Sequence, residues 1–224
     1  MNEEDKESIR RRFLAVDTSN VADGLDTLGL PDQGLAPDFR PFPAGAGAMG
    51  GWAYTIRGQM TSFPMGGDAD KMRACHGVRP GELTVWGGDG EGICYFGELI
   101  SIGMKERGAV GALVDGGIRD VRWLGHLGFP VYARYRTPVQ SIGRWKVNAW
   151  QVPVTLPGAT TKWVKVEPGD FVLADEDGAI VIPQAIVPKV LEESERLTDI
   201  EVKLRVELAQ GLSLDAALKK YGHV

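Results

Sequence analysis

The stretch Gly97–Asp120, GELISIGMKERGAVGALVDGGIRD, constrains the fold of this chain more than any other part of the sequence. Apolar side chains recur at helical spacing over residues 97–107, and residues 110–114 form a continuous apolar run, which is typical of a strand covered on both faces. A further helix is expected over residues 119–127 and a strand over residues 131–135. Because a strand–helix–strand crossover joins parallel strands, the sequence predicts an α/β fold with a partly parallel sheet.

Charged side chains lie at the ends of the elements in this stretch. Residues 115–118 are expected to form a turn, which would place Arg119 and Asp120 at the start of a helix. Glu98 lies at the start of the preceding helix, after Gly97. Glycine lets the backbone approach a ligand closely, and the start of a helix favours anions. We therefore predict that the active site lies here.

The remaining chain is expected to add helices at both ends and β-structure after the central stretch. Helices are predicted over residues 3–16 and 21–28, with Thr18, Ser19 and Asn20 as a cap before the second. Residues 29–43 are expected to be a loop, and residues 138–166 to be β-rich and irregular. Further predicted elements are a helix over residues 68–74, strands near residues 83–86, 154–156, 163–166, 171–174 and 179–182, and helices from about residue 186 to 211 and over residues 212–221.

The segment Gly45–Gly50 fits the pattern GxGxxG, which suggests a dinucleotide site. Such a site needs a hydrophobic strand before the glycines and a helix after them. Here RPFP precedes the pattern, and residues 51–57 have the composition of a strand. We therefore interpret these small residues as a place where two strands pack closely.

Composition limits the classes of partner. The chain has 224 residues, 43% hydrophobic and 25% charged, with a net charge of −5, which argues against binding nucleic acid through phosphate neutralisation. No apolar run approaches the length of a membrane span, and the first thirteen residues lack the apolar core of a signal peptide. The two cysteines have no metal-binding spacing. A cytoplasmic enzyme or binding protein is expected.

The residue types in the central stretch suit a 2-oxo acid. The amides of Leu99 and Ile100 could bind a carboxylate, and Glu98 and Asp120 are hard oxygen ligands for Mg²⁺ or Mn²⁺. Arg119 could stabilise an enolate oxygen, as aldol cleavage or decarboxylation requires. The equally weighted alternative is that Arg119 and Asp120 cap a helix and form surface ion pairs.

An aldolase can also work through a Schiff base on lysine. Lys71 and Lys105 are the candidates for such a residue. Neither has a sequence setting that is clearly apolar and would lower its pKa.

The sequence resembles the 4-hydroxy-4-methyl-2-oxoglutarate / 4-carboxy-4-hydroxy-2-oxoadipate aldolase family, which also contains the regulator of ribonuclease activity A. The resemblance is carried by residues 97–100, 111–120, 128–133, 168–170 and 175–183. The family's aldolases have an acidic residue, twenty intervening residues and then Arg-Asp. Glu98, Arg119 and Asp120 fit this spacing, with Glu in place of the usual Asp.

The resemblance implies a role for each of these residues. Arg119 would polarise the pyruvate carbonyl and Asp120 would ligate Mg²⁺ or Mn²⁺. Glu98 would hold water at the metal, while Gly97, Leu99 and Ile100 would bind the substrate carboxylate. Glu201 from a neighbouring subunit, with Glu195 as a rival, would complete the metal site.

The fold implied is a layered α/β/β sandwich of the swivelling phosphohistidine-domain type, assembled as a homotrimer or hexamer with sites between subunits. Residues 1–185 would form a single α/β/β domain, and residues 186–224 would form a C-terminal helical tail on the same or a neighbouring subunit.

The implied activity is that of a metal-dependent pyruvate aldolase with oxaloacetate decarboxylase side activity, acting on a small 2-oxo acid with no nucleic acid or membrane partner. The alternative is a non-catalytic regulator that binds a ribonuclease or another protein. The regulators have Gly at the position of Glu98 and an acidic residue at the position of Trp123. This chain departs from that pattern at both positions, which favours the enzyme.

Overall fold

The computed structural model describes residues 2–222. Its helices are α1 (Glu3–Phe13), α2 (Thr18–Thr27), α3 (Ala69–His76), α4 (Glu98–Lys105), α5 (Val121–Leu127), α6 (Val187–Ala209) and α7 (Leu214–Tyr221), with a 3₁₀ turn over Gln184–Ile186. Its strands are β1 (Arg40–Phe42), β2 (Met49–Met60), β3 (Glu82–Gly87), β4 (Cys94–Phe96), β5 (Gly111–Ile118), β6 (Val131–Arg136), β7 (Trp145–Trp150), β8 (Val154–Pro157), β9 (Trp163–Val166), β10 (Phe171–Asp175) and β11 (Gly178–Ile182).

Nine of these strands form one mixed sheet. Its order is β1-β6-β5-β3-β2-β10-β11, with β4 paired to β5 and β7 paired to β2. Strands β2, β3, β5 and β6 are mutually parallel, so the crossover predicted from the sequence is confirmed as β5–α5–β6. The outer strands β1, β7, β10 and β11 pair antiparallel, and β8 and β9 form a separate hairpin.

The sheet curls into a nearly closed, barrel-like form. Tyr132 on β6 and Val181 on β11 lie near opposite ends of the strand order, yet both belong to one buried apolar cluster. Leu156 and Val164 from the β8–β9 hairpin fill the same interior. The burial of these side chains explains the curvature, because it removes apolar surface from water on the concave face.

Helices cover the outer faces of the sheet in two groups. Met104 on α4 and Leu124 on α5 pack with Trp86 and Phe96. Helices α1, α2 and α6 pack on β10 and β11 through a second group of side chains: Phe13, Leu25, Phe171, Ile182 and Leu191. The fold is therefore a mixed α/β fold with a long C-terminal helix.

Helices α6 and α7 make up the predicted C-terminal helical tail. The first half of α6 buries Val187, Val190 and Leu191 against α1 and α2 of the same chain. The domain boundary at residue 185 and contact with a neighbouring subunit stay predictions, and residues 223 and 224 lie outside the described part. Within residues 2–222, no helix has the length and apolar character to span a bilayer.

Three expected assignments along the chain are wrong. The turn expected over residues 115–118 is instead the end of β5, which continues with an irregular register between Val114 and Gly117. Position 116 has room only for glycine, because a Cβ there would lie 2.3 Å from the Tyr95 hydroxyl oxygen. These glycines therefore serve close packing within a strand.

At the second boundary, α2 begins at Thr18 where a cap had been expected. The Thr18 amide and hydroxyl each donate a hydrogen bond to the Asp175 carboxylate at 2.7 Å, and this fixes the start of the helix. Residues 40–42 were expected to lie in a loop but form β1, which pairs with β6. The strand expected over residues 51–57 is confirmed as part of β2, which begins at Met49 inside the glycine pattern, where a dinucleotide site would need a helix.

A glycine on β2 provides a test of this packing. A Cβ at Gly58 would lie 2.0 Å from Cζ2 of Trp145, whose ring is fully buried and stacked on Tyr95 with centroids 4.2 Å apart. We expect Gly58→Ala to lower the free energy of unfolding by about 2 kcal/mol or more, since the ring has no room to move. Urea unfolding measures the change.

Gly103→Ala on α4 is the matched control, because within residues 2–222 no atom outside the local helix backbone and the two neighbouring residues lies within 4 Å of the place that its methyl group would occupy, and alanine favours the helix. It should be neutral or stabilising. A Gly58→Ala protein as stable as wild type would show that Trp145 is not confined as described.

Candidate active site

Arg119 and Asp120 connect β5 to α5 at the end of a parallel strand. The Arg119 amide donates to the Phe96 carbonyl at 3.1 Å, which ties the connection to β4. Asp120 has φ 61° and ψ 29°, the left-handed conformation. Few residues other than Gly adopt it, although Asp and Asn tolerate it best, and such strain collects at functional sites. The backbone here is therefore held in a conformation that aims the Asp120 side chain.

The Asp120 carboxylate does not cap α5. The first bonds of the helix use the Asp120 carbonyl, which accepts from Trp123 at 2.8 Å and from Leu124 at 3.0 Å. Oδ2 of Asp120 lies 3.5 Å from Nε of Arg119 and accepts from the Glu98 amide at 3.4 Å. The capping alternative thus fails for this side chain, whereas an ion pair does exist, between Arg119 and Asp120 themselves.

Gly97 allows the start of α4 to lie directly against Arg119 and Asp120. A Cβ on Gly97 would lie 2.7 Å from Oδ2 of Asp120 and 3.3 Å from Cγ of Arg119. Gly97 also precedes α4, whose first helical hydrogen bond runs from the Ser101 amide to the Gly97 carbonyl at 3.1 Å. The amides of Leu99 and Ile100 lie within this first turn, where helices leave donors without intrahelical partners.

These residues share one cavity of about 320 Å³. It is lined by Phe63, Gly67, Asp68, Lys71, Met72, Cys94, Tyr95, Phe96, Gly97, Leu99, Ile100, Arg119, Asp120, Gln140, Ser141 and Ile142. Five of the seven predicted site residues are among them, and its size suits a small ligand. A second, more open cavity of about 550 Å³ reaches Arg119 and Asp120 from the side of Arg136.

Two predicted acidic residues lie elsewhere. Glu98 is half-buried at the start of α4, with its amide toward Asp120, and is not among the residues that line the cavity. Glu201 lies on α6, where it pairs with Arg205, and no described residue of α6 lines the cavity. Its rival Glu195 makes a bidentate ion pair with Arg12 at 2.7 and 2.6 Å.

Residues 2–222 of a single chain contain no group of three His, Cys, Asp or Glu side chains placed to hold a metal ion. A metal site built on Asp120 therefore needs water, substrate or a second copy of the chain to complete it.

Lys71 lines the cavity, and its surroundings differ from those expected from the sequence. It is buried (8% exposed), and the expectation that it lacks an apolar setting is wrong. Burial lowers the pKa of Lys71 to about 8, mainly because the charged form is removed from water. The signal was present in the sequence, because Lys71, Ala74 and Cys75 follow helical spacing and lie on one face of α3. Lys105, by contrast, is exposed and donates to the Leu127 carbonyl.

The two cysteines lie in settings that do not favour a nucleophilic thiolate. Burial raises the pKa of the Cys75 thiol to about 11 and also raises the pKa of Cys94, which lines the cavity. Both cysteines are unpaired. Thiols with raised pKa values stay protonated near neutral pH and are poor nucleophiles.

Comparison with known proteins gives consistent similarities. A family model described as RraA-like, Aldolase/RraA, matches residues 18–181. A protein of Halalkalibacterium halodurans named "Putative 4-hydroxy-4-methyl-2-oxoglutarate aldolase" is 27% identical over 216 residues, which cover 95% of this chain and 94% of that protein. A protein of the same name from Laribacter hongkongensis is 31% identical over 170 residues, covering 75% and 98%.

Among solved structures, RraAS2 of Streptomyces coelicolor, described as an unusual member of the RNase ES inhibitor RraA protein family, matches with a TM-score of 0.73 and 25% identity. The match covers 88% of this chain and 96% of that one. The relatives thus include proteins named as aldolases and a member of a family of ribonuclease inhibitors.

Proposed function

Since the chain belongs to the RraA-like family, Aldolase/RraA, we propose that it is a metal-dependent pyruvate aldolase that cleaves a 4-hydroxy-2-oxo acid into pyruvate and a second carbonyl compound. Oxaloacetate decarboxylation would be a side activity. The observation that carries the proposal is the meeting of Arg119, Asp120 and the first turn of α4 in one cavity. The relatives named as aldolases support it.

The chain's own residues would bind the oxo acid and stabilise negative charge. The amides of Leu99 and Ile100 would bind the C1 carboxylate, as amides at a helix start commonly do. In retro-aldol cleavage the C4 hydroxyl gives its proton to water, C4 becomes a carbonyl, and the electron pair of the broken C3–C4 bond forms the C2–C3 enolate. The Arg119 guanidinium would donate to the enolate oxygen, and C3 then takes up a proton to give pyruvate.

The donor set fits Mg²⁺ or Mn²⁺. Mg²⁺ is commonly held by one or two carboxylates together with water and substrate oxygens. Asp120 is a half-exposed hard-oxygen ligand in the cavity wall, and Glu98 is its neighbour through the Glu98 amide. When bound, the ion would act as a Lewis acid toward the oxo acid.

Assembly would complete the site. No described residue of α6 reaches the cavity within the chain, so we propose that Glu201 comes from a second copy in a homotrimer or hexamer. That the fold is of the swivelling phosphohistidine-domain type is likewise a proposal.

A second candidate function is binding of a protein partner, as in the ribonuclease inhibitor family. The similarity to RraAS2 favours it. Trp123 is 51% exposed on α5 beside the site and would form a contact of a different kind from the acidic residue that the regulators have at this position. Exposed Trp residues often anchor protein interfaces.

Removal of divalent metal with EDTA distinguishes the enzyme from the partner-binding protein. We expect purified protein to release pyruvate from oxaloacetate, EDTA to lower the rate at least tenfold, and added Mg²⁺ or Mn²⁺ to restore it, because the ion supplies charge stabilisation in the transition state. A blank with the same metal and no protein corrects for metal-catalysed decarboxylation. The rate with 4-hydroxy-4-methyl-2-oxoglutarate then tests the aldol reaction itself. A protein no faster than the blank with every metal would overturn the enzyme proposal and favour the partner-binding function.

A further inference from the structure

Ser141 has an unpaired hydroxyl in the wall of the candidate active site. The residue is only 7% exposed and lines the cavity of about 320 Å³. Within residues 2–222, the polar side-chain atoms that are sealed from solvent and lack a partner belong to Asn20, Asp38, Tyr95 and Trp145. Oγ of Ser141 is not one of these sealed atoms, and no described residue forms a hydrogen bond with it. The hydroxyl is therefore open to solvent, and the cavity is the opening that Ser141 lines.

The backbone holds Ser141 beside the strand that connects to the rest of the site. The Cys94 amide on β4 donates to the Val139 carbonyl at 2.7 Å, and Cys94 forms an isolated β-bridge with Gln140. On its other edge Cys94 pairs with β5, the strand that leads to Arg119. Ser141 therefore lies across β4 from the arginine of the candidate site.

A turn after Ser141 fixes its backbone further. The Ser141 carbonyl accepts from the Arg144 amide at 2.8 Å and from the Trp145 amide at 2.9 Å. Trp145 begins β7, and its side chain is fully buried. The backbone of Ser141 is thus held on both sides before any ligand binds.

The charged side chains in the wall at α3 already have partners. Asp68 accepts from backbone amides with both oxygens, from Lys71 at 3.1 Å and from Val147 at 2.8 Å. The Lys71 ammonium donates to the Tyr95 carbonyl. A buried hydroxyl that lacks a partner forgoes hydrogen bonds that water would supply, so such a group in a cavity wall points to a ligand atom that binds it.

The substrate proposed above has one oxygen in the right part of the cavity. Its C1 carboxylate and C2 oxygen would lie at the start of α4 and at Arg119, so the C4 oxygen extends into the remaining space. Phe63 and Ile142 make much of the wall apolar there. Gln140 also lines this space, but it is only half-buried and can keep its bonds to water. Ser141 is therefore the group that gains most from a ligand oxygen.

We propose that Ser141 binds the C4 oxygen of the 4-hydroxy-2-oxo acid and so positions the C3–C4 bond for cleavage. The inference rests on the proposed function, and it adds the residue that recognises the part of the substrate that leaves as the second carbonyl compound. Oγ would donate a hydrogen bond to the C4 oxygen while the C4 hydroxyl gives its proton to water. The same hydrogen bond would then hold the carbonyl oxygen that forms. No covalent bond between Ser141 and the substrate is involved.

Two matched monoanionic ligands test the inference by binding alone. 4-Hydroxy-2-oxopentanoate and 2-oxopentanoate have the same five-carbon chain and differ only in the C4 hydroxyl. Calorimetric titration of the EDTA-treated protein should show the hydroxy acid binding about fivefold more tightly, as expected for one neutral hydrogen bond. Ser141→Ala should reduce this preference to within about twofold and leave the affinity for 2-oxopentanoate nearly unchanged.

Turnover gives a second measurement, which a merely structural role would not reproduce. Exchange of the C3 protons of pyruvate in D₂O with Mg²⁺ needs only the oxo acid end of the site, whereas cleavage of 4-hydroxy-2-oxopentanoate also involves the C4 oxygen. Ser141→Ala should lower kcat/KM for cleavage about tenfold or more and keep the exchange rate within about twofold. Ser62→Ala, which removes an exposed hydroxyl outside the cavity wall, should change neither rate.

Several results would overturn the inference. Equal affinity of the wild type for the two ligands, or binding of neither, would do so, and metal-dependent cleavage by the same protein would leave the proposed function intact. A preference that survives Ser141→Ala but is lost in Gln140→Leu would assign the C4 oxygen to Gln140. Equal losses of exchange and cleavage in Ser141→Ala would show a structural role instead. Selective binding that Ser141→Ala removes, without turnover at any metal, would reject the aldolase and leave the Ser141 site standing.

Discussion

Asp120→Asn is expected to lower kcat/KM for pyruvate release by roughly 10²- to 10³-fold or more, the range found when one group that stabilises transition-state charge is removed. Asn has the shape of Asp and tolerates the left-handed conformation, so the turn at φ 61° should form unchanged. The substitution removes the negative charge that pairs with Arg119 and that would hold the metal. Steady-state rates with oxaloacetate and saturating Mg²⁺ measure the loss, and circular dichroism and thermal unfolding verify the fold.

A control variant and a variant of the neighbouring arginine make this result specific. Asp177→Asn removes a carboxylate from the exposed turn between β10 and β11 and should leave the rate unchanged. Arg119→Lys keeps the positive charge but loses the planar guanidinium fork, and it should also lower the rate strongly. Near-wild-type turnover in Asp120→Asn would show that this carboxylate is not required, and the same result in Arg119→Lys would remove the role assigned to the guanidinium.

The part of the site that could be predicted from sequence is the part formed by residues close together in the chain. Arg119 and Asp120 are adjacent, and Gly97 precedes a helix start that the glycine and apolar pattern already marked. The crossover β5–α5–β6 then fixes where the ends of the strands lie, since connections of this kind are nearly always right-handed. Local pattern therefore marked Arg119, Asp120 and the helix start, whereas the pairing of β4 with β5, which brings Asp120 to the start of α4, was not predicted.

The parts that could not be predicted depend on contacts between distant segments. The end of β5 was expected to be a turn because it contains Gly116 and Gly117, and the sequence does not show that Tyr95 occupies the space a side chain at Gly116 would need. The burial of Lys71 depends on Trp86, Trp145 and the β4 backbone closing around α3. Glu201 cannot be placed in the site from one chain at all, because no described residue of α6 lines the cavity.

Lys71→Met is expected to stabilise the folded protein, with the largest gain below about pH 8. Burial lowers the pKa of Lys71 from its ordinary value of 10.5 to about 8, and a displacement of that size corresponds to a penalty on the order of 3 kcal/mol for holding the charged form. Of the groups that face it, Cys75, Asp68 and Cys94 raise the pKa and Arg119 lowers it, so desolvation is the dominant cause. Methionine fills a similar volume without the charge.

The pH dependence follows from proton counting. Between pH 8 and 10.5 the unfolded wild type binds more protons at Lys71 than the folded protein does, so the stability of the wild type rises with pH across this window. The variant lacks this contribution. The difference in free energy of unfolding between variant and wild type should therefore be largest at pH 7 and shrink by pH 9.5, as measured by urea unfolding at both values.

Lys105→Met is the matched control, because its ammonium is exposed and its removal relieves no buried charge. A Lys71→Met protein that is less stable than wild type at pH 7 would contradict this prediction, and so would one whose free energy of unfolding differs from that of the wild type by the same amount at both pH values. Either result would show that the contacts of the ammonium with the Trp86 and Trp145 rings and the Tyr95 carbonyl offset the burial of the charge.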